Sequence, residues 1–255
     1  WIGLSSLALA VGVFFSFCGL EMYAAHIKEL KFPRGSYPLA ILIAAVLSMA
    51  IFMVGTIIIA MVVPNKDLNA IYSLYTTFHT LGASIGMPWL FSVIAWLTII
   101  SLGTATISWL AGVPLMLVNA GRGGMLPRRL QQVNKHGMPG FLMYLMAVIV
   151  SLIFLLMMIV PNVETYFVMV TATVTILYLT MYLLMFAAFI RLRYTQPNRP
   201  RSFKVPGGIA GAWIVGGLGL LSTAFGFVLG FFPPAQLSFG SPAVYVGTIA
   251  VLLAL

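Results

Sequence analysis

Phe14-Phe15-Ser16-Phe17-Cys18-Gly19-Leu20-Glu21 is the stretch on which the fold of this chain turns. It lies in a long apolar run and ends on a carboxylate, the only one inside any apolar segment of the sequence. A carboxylate in a bilayer costs on the order of 2.5–3.5 kcal/mol by insertion scales unless it is paired, protonated or hydrated. Gly19 stands two residues before Glu21, and Ser16 three before that. A helix can unwind at such a place. Unwound backbone is tolerated at membrane depth only where it lines a cavity or packs against protein. The stretch therefore predicts a broken helix at a midplane site, with Glu21 at its cytoplasmic edge. The competing possibility is a Glu that snorkels near a helix end, since Lys28 follows seven residues on.

The composition around this stretch leaves one class of protein. Of 255 residues, 62% are hydrophobic and 7% are charged, against about 25% charged in a soluble domain. Mean hydropathy is +1.09. Disorder, a coiled coil and an ordinary soluble enzyme are excluded. An all-α polytopic membrane protein is predicted, because a bilayer core needs runs of about 20 apolar residues. The period-two alternation of an outer-membrane barrel is missing. Seven apolar segments run over about 1–25, 38–63, 89–120, 141–160, 165–190, 209–232 and 243–255. Breaks such as Pro64-Asn65, Pro161-Asn162 and Pro233-Pro234 separate them. The last run is too short to span, and the chain opens on Trp1 without an initiator Met. Both ends are expected to be internal to a longer protein. No signal-peptide pattern is visible.

Lys and Arg number 13 against 4 Asp and Glu. In a soluble protein this excess would suggest nucleic acid. Here the basic residues alternate by loop, which argues for a membrane topology and against nucleic acid. Lys28, Lys31 and Arg34 follow the first segment. Arg122, Arg128, Arg129 and Lys135 follow the third, and Arg191, Arg193, Arg199, Arg201 and Lys204 follow the fifth. The alternate loops hold only Lys66. Positive charge gathers in cytoplasmic loops, so loops 26–37, 121–140 and 191–208 are expected to be cytoplasmic and the Trp1 end extracytoplasmic. In the long outer loop, Ile71, Leu74, Tyr75 and Phe78 have helical spacing. They predict a short amphipathic helix over 69–82, either a lid or a packed surface helix. Lys66, Asp67, His79 and Glu164 are expected to be solvated.

Other segments carry candidates with two readings each. Tyr178 and Tyr182 are four apart and share one helical face. Their hydroxyls need partners in hydrocarbon, which a substrate or a neighbouring backbone could supply. Trp109 is too deep for an interfacial belt and is either an aromatic gate or packing. Ser101, Thr104, Thr106 and Ser108 read as helix–helix glue. Cys18 reads as a small buried residue whose backbone matters more than its thiol, and His26 as interfacial. One cysteine excludes a disulfide framework and a zinc cluster. No enzyme constellation is evident. Gly121-Arg122-Gly123-Gly124 lacks the Lys-Ser/Thr of a phosphate loop, and no cofactor is expected.

Phe15-Ser16-Phe17-Cys18-Gly19-Leu20-Glu21 followed by Met22-Tyr23-Ala24-Ala25-His26 resembles helix six of amino acid–polyamine–organocation (APC) transporters. It is especially similar to the bacterial glutamate/γ-aminobutyrate antiporters. Ser108-Trp109, Arg122, Met125-Leu126-Pro127, the string from Val133-Asn134-Lys135 to His136-Gly137-Met138-Pro139, and Phe203-Lys204-Val205-Pro206-Gly207-Gly208 extend the resemblance over essentially the whole chain.

The resemblance implies the LeuT-like five-plus-five inverted-repeat fold. Residues 1–190 would form the second repeat, with its first span broken near 18–21. Residues 191–255 would form a cytoplasmic loop, helix eleven and a truncated helix twelve. It further implies that backbone around Phe17, Cys18 and Gly19 contacts the amino acid. Glu21 would be an inner-gate, proton-linked acid, Trp109 a gating aromatic, and Tyr178 and Tyr182 cavity residues. Phe15 belongs to the same substrate site, standing where arginine/agmatine relatives have Trp. The missing partner would be the N-terminal repeat of the same protein, and a C-terminal pH plug would be missing too. The implied function is glutamate/γ-aminobutyrate exchange in a bacterial inner membrane, linked to acid resistance. A proton-coupled permease of other specificity is the alternative within this fold, and a seven-helix receptor the alternative outside it. A channel has less support, since no charged ring or filter loop is evident.

Overall fold

The computed structural model describes residues 3–19, 33–64, 69, 72–121, 124, 127–159, 163–201, 204–234 and 242–254. Glu21, His26, Lys28, Lys31, Lys66, Asp67 and Arg122 lie outside the described residues. All regular structure among the described residues is helical. In chain order the helices are α1 (Leu4–Leu7), α2 (Val11–Ser16), α3 (Pro33–Val62), α4 (Ser73–Ser84) and α5 (Leu90–Ala120). They continue as α6 (Gly140–Ile159), α7 (Val163–Thr195), α8 (Gly208–Leu229) and α9 (Pro242–Ala254). A 3-10 turn, Ala8–Ala10, joins α1 to α2, and another covers Arg128–Gln131.

Four helices are long and apolar enough to cross a membrane, over Ser36–Val62, Leu90–Asn119, Val163–Thr195 and Gly208–Leu229, and Gly140–Leu155 is a shorter apolar helix. The chain is a multi-pass membrane protein of the all-α class. Helix fits the medium because it satisfies its own backbone polar groups where water is absent. Hydroxyls follow the same rule. On α5, Thr104 donates to the carbonyl of Ile100 at 2.9 Å, Thr106 to Leu102 at 2.8 Å and Ser108 to Thr104 at 3.0 Å. Three of the four residues expected as interhelical glue thus donate within their own helix, where the carbonyl four residues back is within reach.

In the segment near 1–25, expected to be broken near 18–21, α2 ends at Ser16. The α3 helix begins at Pro33 rather than near 38, so Pro33 to Ser36 are helical rather than a break. The segment near 165–190 continues to Thr195, so Arg191 and Arg193 stand on the last turns of α7 rather than in a loop. Arg193 lays its guanidinium over the Phe189 ring, 4.9 Å from the centroid, and Arg201 donates to the carbonyls of Leu192 and Gln196 at 3.0 and 2.7 Å. Arg201 thus adds a cationic donor at the C-terminal end of α7, where the helix dipole favours positive charge.

The chain divides into two compact units, Trp1–Cys18 with Thr165–Leu255, and Gly19–Glu164. In the first, α7 buries Tyr166, Met169, Ala172, Thr173, Thr175, Ile176 and Leu179, a face of period 3.6. Its core joins Met169, Ala172 and Ile176 to Tyr245 and Ile249 of α9, with Phe227 and Phe231 packed against it. The Tyr245 hydroxyl donates to the Gly230 carbonyl at 3.1 Å.

The α8 face toward α7 is made of small residues. A Cβ on Gly216 would stand 3.0 Å from Phe189 and Ile190 side-chain atoms, on Gly219 2.5 Å from Phe186, and on Gly230 2.7 Å from Ile176. One on Gly226 would stand 3.1 Å from Leu179 and 3.0 Å from Phe14 of α2. The α7 partner moves back as the α8 glycine moves forward, so these two helices run antiparallel. Lipid is as apolar as Leu, so shape fit rather than escape from water holds such helices together.

In the second unit, α4 and α5 form a tight hairpin. The Met87 amide donates to the Gly82 carbonyl at 2.7 Å, and Gly86 takes φ +72°. Tyr75 and His79 of α4 meet Phe91 of α5 edge-on, with ring centroids 6.3 and 5.7 Å apart. The helix expected over 69–82 therefore packs on its neighbour and starts at Ser73 rather than at Asn69. Before α6, the Asn134 side-chain oxygen accepts from the amides of His136 and Met138 at 2.9 and 3.0 Å. Gly137 supplies the left-handed φ of +77° that closes this turn.

Candidate functional site

The site begins where α2 stops. The Phe17 amide donates to Phe14 O at 3.2 Å and the Cys18 amide to Phe15 O at 3.0 Å. These are the shorter i→i−3 bonds of a tightened helix end. Gly19 then takes φ +96°, a left-handed conformation that a residue with a Cβ adopts only under strain. Two neighbouring side chains bond back into the helix. Ser16 Oγ donates to Gly12 O at 2.9 Å and Cys18 Sγ to Phe14 O at 3.3 Å. The Cys18 thiol is part of the helix end and is half-buried, where the sequence suggested a buried residue. Phe15 is 38% exposed, and Phe17 is half-buried.

Gly19 itself is buried. A Cβ placed on it would lie 2.8 Å from both Cζ2 and Cη2 of Trp109. The structure thus brings together two residues that lie 90 positions apart and that the sequence singled out for separate reasons. Trp109 is half-buried on α5, well inside the span.

Tyr178 and Tyr182 pair on α7, with ring centroids 6.2 Å apart and planes at 51°. Both are half-buried, beside the fully buried Thr175, Ile176 and Leu179. They belong with Phe15, Phe17 and Cys18 to one unit, while Gly19 and Trp109 belong to the other. Glu21, the expected gate acid, lies outside the described residues.

One polar contact went unforeseen. Glu164 was expected to be solvated, yet its Oε2 accepts from Asn69 Nδ2 at 2.8 Å. Asn69 is otherwise committed to starting α4. Its Oδ1 accepts from the Tyr72 amide at 3.1 Å, and its own amide donates to Ser73 Oγ at 2.7 Å. The Asn-x-x-x-Ser spacing before an apolar-periodic run is the local signal for the cap. No local signal points to a partner 95 residues away. Among the described residues every buried side-chain nitrogen or oxygen has a hydrogen-bond partner, and no three His, Cys, Asp or Glu stand close enough to hold a metal ion.

Long apolar helices define a polytopic helical membrane protein. The family model described as amino acid permease matches residues 1–255, and the chain belongs to that family. It is 31% identical over 234 residues to an uncharacterized transporter of Legionella pneumophila, covering 92% of this chain and 50% of that protein. It is 32% identical over 238 residues to the glutamate/gamma-aminobutyrate antiporter of Lactococcus lactis subsp. lactis, covering 92% of this chain and 47% of the other. For the protein of that name in subsp. cremoris the identity is 30%, with the same coverage. The chain spans about half the length of these curated relatives. No solved structure matches. The resemblance to the APC transporters read from the Phe15–Glu21 string is met by these matches, and the relatives are transporters rather than enzymes.

Proposed function

We propose that this chain supplies the second-repeat portion of a bacterial inner-membrane antiporter that exchanges external glutamate for internal γ-aminobutyrate. The observation that carries this is the left-handed Gly19 against the Trp109 indole, in a chain 32% identical to a named glutamate/gamma-aminobutyrate antiporter. A helix end inside the bilayer offers backbone donors and acceptors to a zwitterionic amino acid without placing a charge there. Backbone at Phe17, Cys18 and Gly19 contacts the substrate, and Phe15 shapes the pocket. Tyr178 and Tyr182 line the substrate cavity. Trp109 gates the site, and Glu21 serves as the inner, proton-linked acid. One bundle rocks against a scaffold around this site to give alternating access. Loops 26–37, 121–140 and 191–208 face the cytoplasm. Exchange coupled to cytoplasmic decarboxylation would consume protons, which suits acid resistance.

The test uses the transporter at its full length in liposomes preloaded with γ-aminobutyrate, with labelled glutamate outside. Uptake that requires the internal γ-aminobutyrate and is stronger at acid than at neutral pH is expected. Uptake driven by a proton gradient without counter-substrate would instead assign a proton-coupled permease. No uptake would void the substrate pair.

A further inference from the structure

We infer that Gly19 is a positioning residue: its left-handed backbone and missing side chain form the seat for the Trp109 indole. The inference rests on the proposed site but not on the identity of its substrate.

Two separate demands fall on residue 19. The first is conformational, because φ +96° disfavours any side chain. The second is steric. A Cβ would stand 2.8 Å from Cζ2 and Cη2, far inside the 3.5–4.0 Å at which carbon atoms attract. Both atoms belong to the six-membered half of the indole, which cannot bend out of the way. The ring would have to rotate about its side-chain bonds. Trp109 is carried by α5, a helix from Leu90 to Ala120 with Pro114 inside it, and residue 19 follows the turn that ends a six-residue helix.

The two demands are separable by mutation. Trp109→Phe removes the outer ring atoms that a Cβ at residue 19 would meet, while the backbone demand at that residue stays. Cys18, the residue before Gly19, supplies a reporter: its half-buried thiol donates to Phe14 O and is released when the turn opens.

The experiment uses the full-length transporter with Cys18 as its sole thiol, in detergent and in liposomes. Maleimide labelling of Cys18 is followed beside transport. Gly19→Ala should raise the labelling rate about tenfold, with Trp109→Phe in the same chain restoring most of it, as coupled neighbours do and distant ones do not. If Gly19→Ala does not fold, Trp109→Ala with Gly19 retained decides: faster labelling is expected. The seat is overturned if Gly19→Ala labels at the original rate, if Trp109→Phe fails to restore it, or if Trp109→Ala leaves labelling unchanged. Coupled labelling without glutamate uptake would keep the seat and remove only the proposed substrate pair.

Discussion

At Glu21 the cost of charge in a bilayer sets the expected behaviour. If its protonation links exchange to pH, Glu21→Gln holds that position permanently uncharged. The activity ratio between acid and neutral pH should then approach one in liposome exchange, and an unchanged ratio would remove Glu21 from the role. Gly19 makes a different point about single residues. Its place beside Glu21 drew attention in the sequence, but neither its φ of +96° nor the indole against it is written there. Tyr178 and Tyr182 were legible as a pair because helical spacing alone brings i and i+4 together, and their rings do meet. Thr175 and Thr180 needed no partner from another helix, since Oγ1 of each donates to a carbonyl four residues back.

Between elements, two contacts invite measurement. Glu164 holds Asn69 on the lead-in to α4. Glu164→Ala removes a charge-assisted bond worth about 1 kcal/mol at a partly exposed site. It leaves the Asn69 cap on Tyr72 in place. Amide exchange across 72–84 should therefore rise roughly fivefold while α4 stays helical, and Asn69→Ala should raise it further because the cap is lost as well. Protection unchanged in both variants would show that the contact does not tether α4. On α8, Gly219 faces the Phe186 ring. Gly219→Leu should destabilise the α7–α8 pair by about 1–3 kcal/mol, the usual cost of overpacking, and lower the melting temperature in detergent. The same change at Gly103, which has open space around its Cβ position, should leave melting nearly unchanged.

At the scale of the molecule, topology is the property with the plainest test. Alternation of basic loops predicts that a reporter active only in the cytoplasm works when fused after residue 200 and fails when fused after residue 234. The reverse pattern would invert the assigned orientation. Hydropathy, charge alternation and Pro/Gly breaks were enough for the helical class and for most spans, with α3, α5, α6, α8 and α9 falling close to the expected segments. These properties are local, because the bilayer acts on each segment through its own length and apolarity. The seat of Trp109, the glycine face of α8 and the Asn69–Glu164 bond all depend on which side chains meet across the chain. In lipid, apolar helices gain nothing merely by touching. Close packing and paired polar groups choose among arrangements that hydropathy leaves equal, so only the tertiary structure decided those contacts.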